Sequence, residues 1–220
     1  MRLARRGPTI ARVDDELELL RRWRDGDRSA GGVLFERHFE VVARFFRNKV
    51  ADGGADLIQR TFLEAMTAVA NFRGQSTFRA FLLGVANNVL RHHYRSKARR
   101  DDRVDFGTVS VFDLAPGANT VVAKRREEMI MLEALRRLPV EHQVVLELYF
   151  WEDLSAAEIS EIIGAPEGTV RTRIRRAKQL LEELLPQVAA TPDEIERTRS
   201  GLEDWAKALR ATLGKPEPAA

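Results

Sequence analysis

The sequence predicts an all-α protein of two small helical domains joined by a flexible linker, with a C-terminal helical extension. Apolar residues recur at three- and four-residue steps along most of the chain, and no convincing segment alternates as a strand would. The 220 residues are enough for two domains that each bury a core. We place the first domain at 14–103, the linker at 104–120, the second domain at 121–185 and the extension at 186–220.

The first domain is predicted to consist of successive amphipathic helices. One runs from about Asp14 to Arg24. The next carries an aromatic-rich stripe that we interpret as core rather than as a ligand site: Leu34, Phe35, His38, Phe39, Val42, Phe45, Phe46 and Val50. Gly53 and Gly54 interrupt the pattern before a helix that contains Ile58, Phe62, Ala65, Met66 and Val69. A turn at 73–76 precedes a last helix, which continues directly into a run of basic residues: Arg91, Arg95, Lys97, Arg99, Arg100 and Arg103.

The second domain follows a segment, from about Arg103 to Thr120, in which the helical period disappears and Gly and Pro are frequent. Helical spacing resumes near Val121, and Pro139 is expected to open a helix that leads to a helix-turn-helix. This domain is therefore predicted to be a helix-turn-helix (winged-helix-like) DNA-binding domain.

The helix-turn-helix is indicated by local signals at each end of its first helix. Ser155 and Glu158 have the spacing of a capping box, and Gly164 suits the left-handed residue that ends a helix. Pro166 stands where the second helix begins. The second helix has an apolar face and a basic face that fits the major groove, where arginine can bond guanine and other cations neutralise phosphates. Arg173 lies closest to the apolar edge of this helix, so we expect it to support the helix rather than to read DNA bases.

Composition limits the functional classes. There are 36 Lys and Arg against 33 Asp and Glu, but the basic residues cluster in two tracts, which suggests two anionic contacts. The absence of cysteine excludes disulfides and thiolate metal sites. His92 and His93 lack further ligands for a metal site. No segment resembles a membrane span or a signal peptide, so we expect a cytoplasmic protein without membrane insertion.

Three tracts together resemble the extracytoplasmic-function (ECF) group of bacterial RNA polymerase sigma factors. They are residues 56–62, residues 72–82, and residues 138–177, which contain the helix-turn-helix; the resemblance covers roughly 14 to 185. It implies a protein that binds core RNA polymerase, directs it to promoter DNA and helps open the −10 region. It also implies that an anti-sigma factor can hold the chain.

The resemblance assigns polymerase binding to the helix with the Asp-x-x-Gln pattern, here Asp56 and Gln59, with Arg60 beside them. Members usually have glutamate at the position of Arg60, so the charge of that contact is reversed. The resemblance assigns the −10 element, as single-stranded DNA, to the loop and the helix after it, with Tyr94 as the expected stacking partner. The predicted −10 residues are Arg73, Gln75, Ser76, Thr77, Asn87, Asn88, Arg91, Tyr94, Arg95 and Arg99.

The resemblance assigns the −35 duplex to the second helix of the helix-turn-helix. The predicted −35 residues are Thr169, Arg171, Thr172, Arg175, Arg176 and Lys178, with Lys178 on the DNA backbone. Two alternatives are a stand-alone helix-turn-helix regulator of duplex DNA and an enzyme acting on nucleic acid. The enzyme is the weakest because no phosphate loop, metal cluster or nucleophile with its base is recognisable; we expect no catalytic residue and no cofactor.

The extension carries an apolar stripe that needs a partner. Thr191, Pro192 and Glu194 should start a helix, and the stripe comprises Ile195, Leu202, Trp205, Leu209 and Leu213. We expect the stripe to fold back on the second domain, the alternative being an outside partner or a dimer contact.

Overall fold

The computed structural model describes residues 10–50, 53–72, 74, 76–97, 105–114 and 126–200 of the chain. These residues are helical and contain no strand, apart from one isolated antiparallel bridge between Ser110 and Pro139. The all-α prediction is therefore confirmed. The described residues of the second domain contain a helix-turn-helix and no β-wing, so the winged-helix-like part of the prediction is not borne out over them.

The first group of helices is α1 (Ile10–Arg24), α2 (Arg28–Arg47), α3 (Gly54–Ala68) and α4 (Phe78–Lys97), with a short 3-10 turn at Val69–Asn71. Asp27 caps α2 by accepting from the backbone N–H groups of Ser29 and Ala30. The helix α2 packs against each of the other three, around the buried residues Leu34, Val42, Phe46, Leu82 and Val89. This packing confirms the core role of most of the aromatic stripe.

The second group is α6 (Arg126–Arg137), α7 (Val140–Phe150), α8 (Ala156–Ile163), α9 (Glu167–Val188) and α10 (Pro192–Ser200). Their core contains Ile130, Leu135, Val145, Ile159, Val170, Ala177 and Leu181. Helix α10 packs on α6 and α9, as the fold-back interpretation predicts for its residues. The rest of the predicted stripe, from Leu202 onwards, lies outside the described residues.

The predicted linker contains local structure where it is described. Residues Val111–Leu114 form the short helix α5, which contacts α6. Phe106 and Val111 are buried, and the carbonyl groups of Phe106 and Val109 accept hydrogen bonds from the N–H groups of Glu141 and Val140. The segment 105–114 is thus docked on the second group of helices rather than being free of both domains.

The two groups of helices also pack directly on one another. Helix α4 of the first group lies against α8 of the second. Their approach is close, since a Cβ atom built on Gly84 would lie 3.5 Å from the carbonyl oxygen of Ile162. None of the helices in the described ranges is long and apolar enough to cross a membrane.

Candidate nucleic-acid interface

The helix-turn-helix has the local geometry that its sequence predicts. The Ser155 side chain accepts from the N–H of Glu158, and the Glu158 carboxylate accepts from the N–H of Ser155 at 2.7 Å, which completes the capping box. Gly164 ends α8 with a φ of 66°, and α9 starts directly after Pro166. These signals fix the angle at which α9 leaves the turn.

The basic face of α9 is open to solvent. Thr169, Arg171, Thr172, Arg175 and Arg176 are all exposed, while Val170, Ile174 and Ala177 are buried on the opposite face. This arrangement gives a helix that packs on one side and presents donors on the other, as major-groove reading requires.

Neighbouring groups hold several of these side chains in the free protein. Arg171 pairs with Glu167 at 2.5 Å, with 71% of the Arg171 side chain exposed. Arg176 lies 3.5 Å from Glu183. The Lys178 ammonium lies 4.9 Å from the centre of the Phe150 ring, a cation–π contact that holds it close to the helical surface. Arg173 instead bonds Glu141 at 2.8 Å, which fits the supporting role predicted for it.

The predicted −10 loop lies beside an aromatic cluster. The Phe72 ring contacts those of Phe78 and Phe81, which anchors the chain on both sides of the loop. Thr77 is exposed and its hydroxyl accepts from the N–H of Ala80, so Thr77 supports the start of α4. Ser76 is partly exposed. Arg73 and Gln75 lie outside the described residues.

Along α4, the structure separates the predicted −10 residues into exposed and covered ones. Asn88 and Arg95 are exposed. Asn87, however, is only 5% exposed, and Arg91 is bonded to Glu141 of the second group at 3.3 Å. Arg99 lies outside the described residues.

Tyr94 requires a correction. Its side chain is fully buried and its hydroxyl donates to the backbone carbonyl of Lys49, so Tyr94 is a core residue and is not placed to stack on a base. Burial raises the pKa of Tyr94, which keeps the phenol neutral as a donor. The sequence interpretation was wrong here because helical spacing alone did not show that this side of α4 faces the end of α2.

The predicted polymerase-binding residues lie on an exposed stripe of α3. Asp56 and Gln59 are exposed, and Arg60 pairs with Glu64 at 2.7 Å on the surface. Leu63 and Met66 continue the stripe at helical spacing, with 57% and 50% of their surfaces exposed. Phe39 of α2, 46% exposed, stacks beside them on Phe62.

Sequence reasoning missed this apolar extension, because it assigned Phe39 and Met66 to packed helix faces. The signal was present in the spacing 56, 59, 63 and 66, which places four residues on one side of a helix. Exposed apolar side chains with polar residues beside them are typical of a protein-binding surface.

Two acidic side chains of the second group are buried against cations of the first. Glu152 accepts from Arg44 at 2.6 Å and is also bonded by Arg79. Burial alone would raise the pKa of Glu152, but the hydrogen bonds and charges of Arg44 and Arg79 outweigh it and hold the pKa below its usual value. Glu147 pairs with Lys49, and both side chains are almost completely buried. Burial raises the pKa of Glu147 despite the bonds from Lys49, Gln143 and Asn48.

Comparison with known proteins identifies this arrangement. The model for Sigma-70 region 2 matches residues 34–100, and the model for Sigma-70, region 4 matches residues 128–181. The chain belongs to the sigma-70 family. The two matches cover most of the first group of helices and the helix-turn-helix, so this sigma factor contains both regions in the predicted order.

Curated relatives carry the ECF designation. The chain is 29% identical over 175 residues to the ECF RNA polymerase sigma-E factor of Haemophilus influenzae, covering 74% of this chain and 92% of that protein. It is 28% identical over 176 residues to the ECF RNA polymerase sigma factor BldN of Streptomyces coelicolor, covering 79% and 67% respectively. The predicted membership of the ECF group is confirmed.

Among solved structures, the fold is similar to that of CnrH, which was determined in complex with the cytosolic domain of CnrY. The TM-score is 0.59 at 24% identity, with 80% of this chain and all of that chain covered. This likeness supports the fold.

Proposed function

We propose that this sigma factor directs core RNA polymerase to promoters by using α9 on the −35 duplex and α4 with its preceding loop on the −10 strand. The observation that carries the proposal is the pair of sigma regions, one ending in a basic helix and the other presenting an exposed arginine-bearing recognition helix. Arginine side chains on α9 can bond base edges bidentately, which supplies specificity, while other cations position the DNA backbone.

The polymerase contact in this proposal is the stripe Asp56, Gln59, Leu63 and Met66 of α3, flanked by Phe39. Desolvating Leu63, Met66 and Phe39 would supply affinity, and Asp56 and Gln59 would supply polar bonds at the rim. Arg60 lies at the edge of the stripe and adds a positive charge. We expect the protein to act in the cytoplasm, to have no catalytic activity of its own and to need no cofactor. An anti-sigma factor is a further partner expected of the ECF group.

Run-off transcription tests the function. Purified core polymerase is incubated with a promoter library, with and without this chain, and the transcripts are sequenced. We expect transcripts that start downstream of a shared pair of elements only when the chain is present. A matched variant, Leu63→Asp with Met66→Asp, should keep its helicity and lose transcription, because the change puts charge on the apolar stripe without touching the DNA surfaces.

The alternative, a stand-alone regulator, makes the opposite prediction. Absence of initiation together with tight duplex binding by the chain alone would contradict the sigma function and favour that alternative.

A further inference from the structure

Two neighbouring residues of α1 contact the two ends of the predicted −10 loop. The Trp23 ring lies edge-on to the Phe78 ring, with centroids 6.2 Å apart, and Phe78 is the first residue of α4 after the loop. The Arg24 guanidinium lies 5.8 Å from the centre of the Phe72 ring, a cation–π contact at the residue before the loop. Helix α1 therefore touches both anchors of a loop that is distant from it in sequence.

The turn between α1 and α2 fixes where these two side chains lie. Gly26 has a φ of 101°, a left-handed conformation that favours glycine, and its N–H donates to the carbonyl of Trp23 at 3.0 Å. Arg22 donates to the Asp27 carboxylate at 2.6 Å and 3.0 Å, and the same carboxylate caps α2. The end of α1 is thus tied to α2 by contacts that do not involve the loop.

Trp23 fits against α2 because position 31 has no side chain. A Cβ atom built on Gly31 would lie 2.6 Å from Nε1 and 2.8 Å from Cδ1 of Trp23, so an alanine there would force the indole to move. The Phe35 ring also contacts the indole, with centroids 5.0 Å apart and ring planes at 83°. Trp23 is therefore confined by α2 and Phe78, and its position depends on the size of residue 31.

We propose that Trp23 and Arg24 are positioning residues for −10 recognition, which hold the two ends of the loop in place for the unpaired strand. Their role rests on the proposed function and makes it more specific. Helix α1 lies outside residues 34–100, which the region 2 model matches, so these residues add a further element to the −10 site. Capture of an extruded base needs a preformed pocket, and a loop anchored at both ends supplies that rigidity.

Gly31→Ala displaces Trp23 without changing any residue of the loop or of the predicted DNA surfaces. Gly32→Ala is the matched control, because a Cβ atom at Gly32 would have nothing within 4 Å. Both positions lie inside α2, so the two changes raise helix propensity about equally. A difference between them therefore reports the displacement of Trp23.

Direct changes on α1 test the two contacts separately. Trp23→Leu removes the ring that meets Phe78. Arg24→Ala removes the cation over Phe72, and it leaves the core intact because Arg24 is exposed. Arg21→Ala is the control for charge, since Arg21 bonds Glu18 at 3.0 Å on the surface of the same helix. The test variants are Gly31→Ala, Trp23→Leu and Arg24→Ala, and the control variants are Gly32→Ala and Arg21→Ala.

Amide hydrogen exchange of the full chain measures the anchoring directly. The N–H of Phe72 donates to the Val69 carbonyl at 3.1 Å, and the N–H of Phe81 donates to the Thr77 carbonyl at 3.0 Å, so these amides report on the two ends of the loop. The N–H of Val170, which donates to the Pro166 carbonyl at 3.0 Å, is a reference in α9.

We expect the amides at the loop ends to exchange about threefold faster in the test variants than in the control variants. The reference amide should exchange equally in all of them, because α9 does not contact α1 through this cluster. Equal exchange at the loop ends in the test and control variants would overturn the proposal. Faster exchange of the reference amide to the same extent would also overturn it, because the change would then be global.

Run-off transcription on the promoter library supplies the functional readout. We expect the test variants to lower the preference for the −10 element about threefold while keeping the −35 preference. A loss of folded protein would instead lower all transcripts and leave both preferences unchanged. Equal −10 preferences in the test and control variants would overturn the proposal. If the parent gave no transcripts, the proposed function would fail, while hydrogen exchange would still decide whether α1 anchors the loop.

Discussion

The two surfaces predicted to read DNA differ in how accessible they are in the free protein. The basic face of α9 is exposed over five predicted residues, whereas α4 has Asn87 buried and Arg91 bonded to an acid of the other domain. The predicted −35 face is thus open to solvent, while part of the predicted −10 face is covered by the second group of helices. The difference teaches that exposure of a basic helix follows from its own sequence, whereas its coverage depends on the helices packed against it.

The largest effect is expected at the buried pair that joins the two regions. Lys49→Met leaves the Glu147 carboxylate buried without its cation. Loss of one partner of a buried pair costs about 3–5 kcal/mol. We expect the midpoint of urea unfolding, monitored by circular dichroism, to move to a lower urea concentration. The double variant Lys49→Met/Glu147→Leu should recover most of the loss, because it removes both charges. Equal losses in the single and double variants would show that the uncompensated charge is not the cause.

The next largest effect is expected on DNA binding by the exposed basic face of α9. Arg171→Ala should weaken binding to the −35 element by about 1–3 kcal/mol and relax the base preference there. Promoter selection from a library by the reconstituted holoenzyme measures both effects. Gln179→Ala, an exposed change farther along α9, is the control and should leave the preference intact. An unchanged −35 preference in Arg171→Ala would show that Arg171 does not read bases of the −35 element.

Arg99→Ala tests the basic tract that follows α4. The prediction rests on the sequence alone, and it contrasts a contact to the DNA backbone with base reading by Arg171. A backbone contact should weaken binding about uniformly over sequences and reduce the salt slope by about one. Affinity measured over a range of salt concentrations checks this. A loss confined to one base of the promoter would instead assign Arg99 to base reading.

A smaller effect is expected at the start of α8. Ser155→Ala removes both the hydroxyl that accepts from Glu158 N–H and the partner of the Glu158 carboxylate. A cap of this kind is worth about 1 kcal/mol. Thermal unfolding should show a lower midpoint, with Ser96→Ala, an exposed serine that makes no such cap, as the reference. Equal midpoints for both variants would mean that tertiary packing alone fixes the end of α8.

The smallest effect on stability is expected at Arg60. Its bond to Glu64 is on the surface, where such pairs contribute about 0.3–0.5 kcal/mol. Arg60→Glu should therefore leave the free energy of unfolding nearly unchanged. It should alter the affinity for core polymerase, which surface plasmon resonance measures. A large loss of stability with unchanged affinity would give Arg60 a structural role and no part in docking.

The predictions from sequence succeeded where the physics is local. The capping box at Ser155, the left-handed Gly164 and the helix start after Pro166 depend on residues within a few positions of one another, so spacing and residue type predicted them. Exposure of the α9 arginines followed from the helical period for the same reason.

Long-range contacts could not be predicted in this way. Tyr94 bonds a carbonyl 45 residues away, and Phe106 docks from a segment whose glycines and prolines indicated a free linker. Helical periodicity shows which residues share a face but not which faces meet. The pairing of Glu141, Glu147 and Glu152 with cations of the first group depends on such a meeting, since nothing in the sequence around each carboxylate indicates its partner.

Run-off transcription with purified core polymerase tests the account most directly, because it requires polymerase docking and promoter reading in one sample. Transcripts are sequenced for the parent chain, for Leu63→Asp/Met66→Asp and for Arg171→Ala. The account predicts promoter-specific transcripts from the parent, none from Leu63→Asp/Met66→Asp, and a relaxed −35 preference for Arg171→Ala. Transcripts that start at the same sites with and without the chain would contradict it.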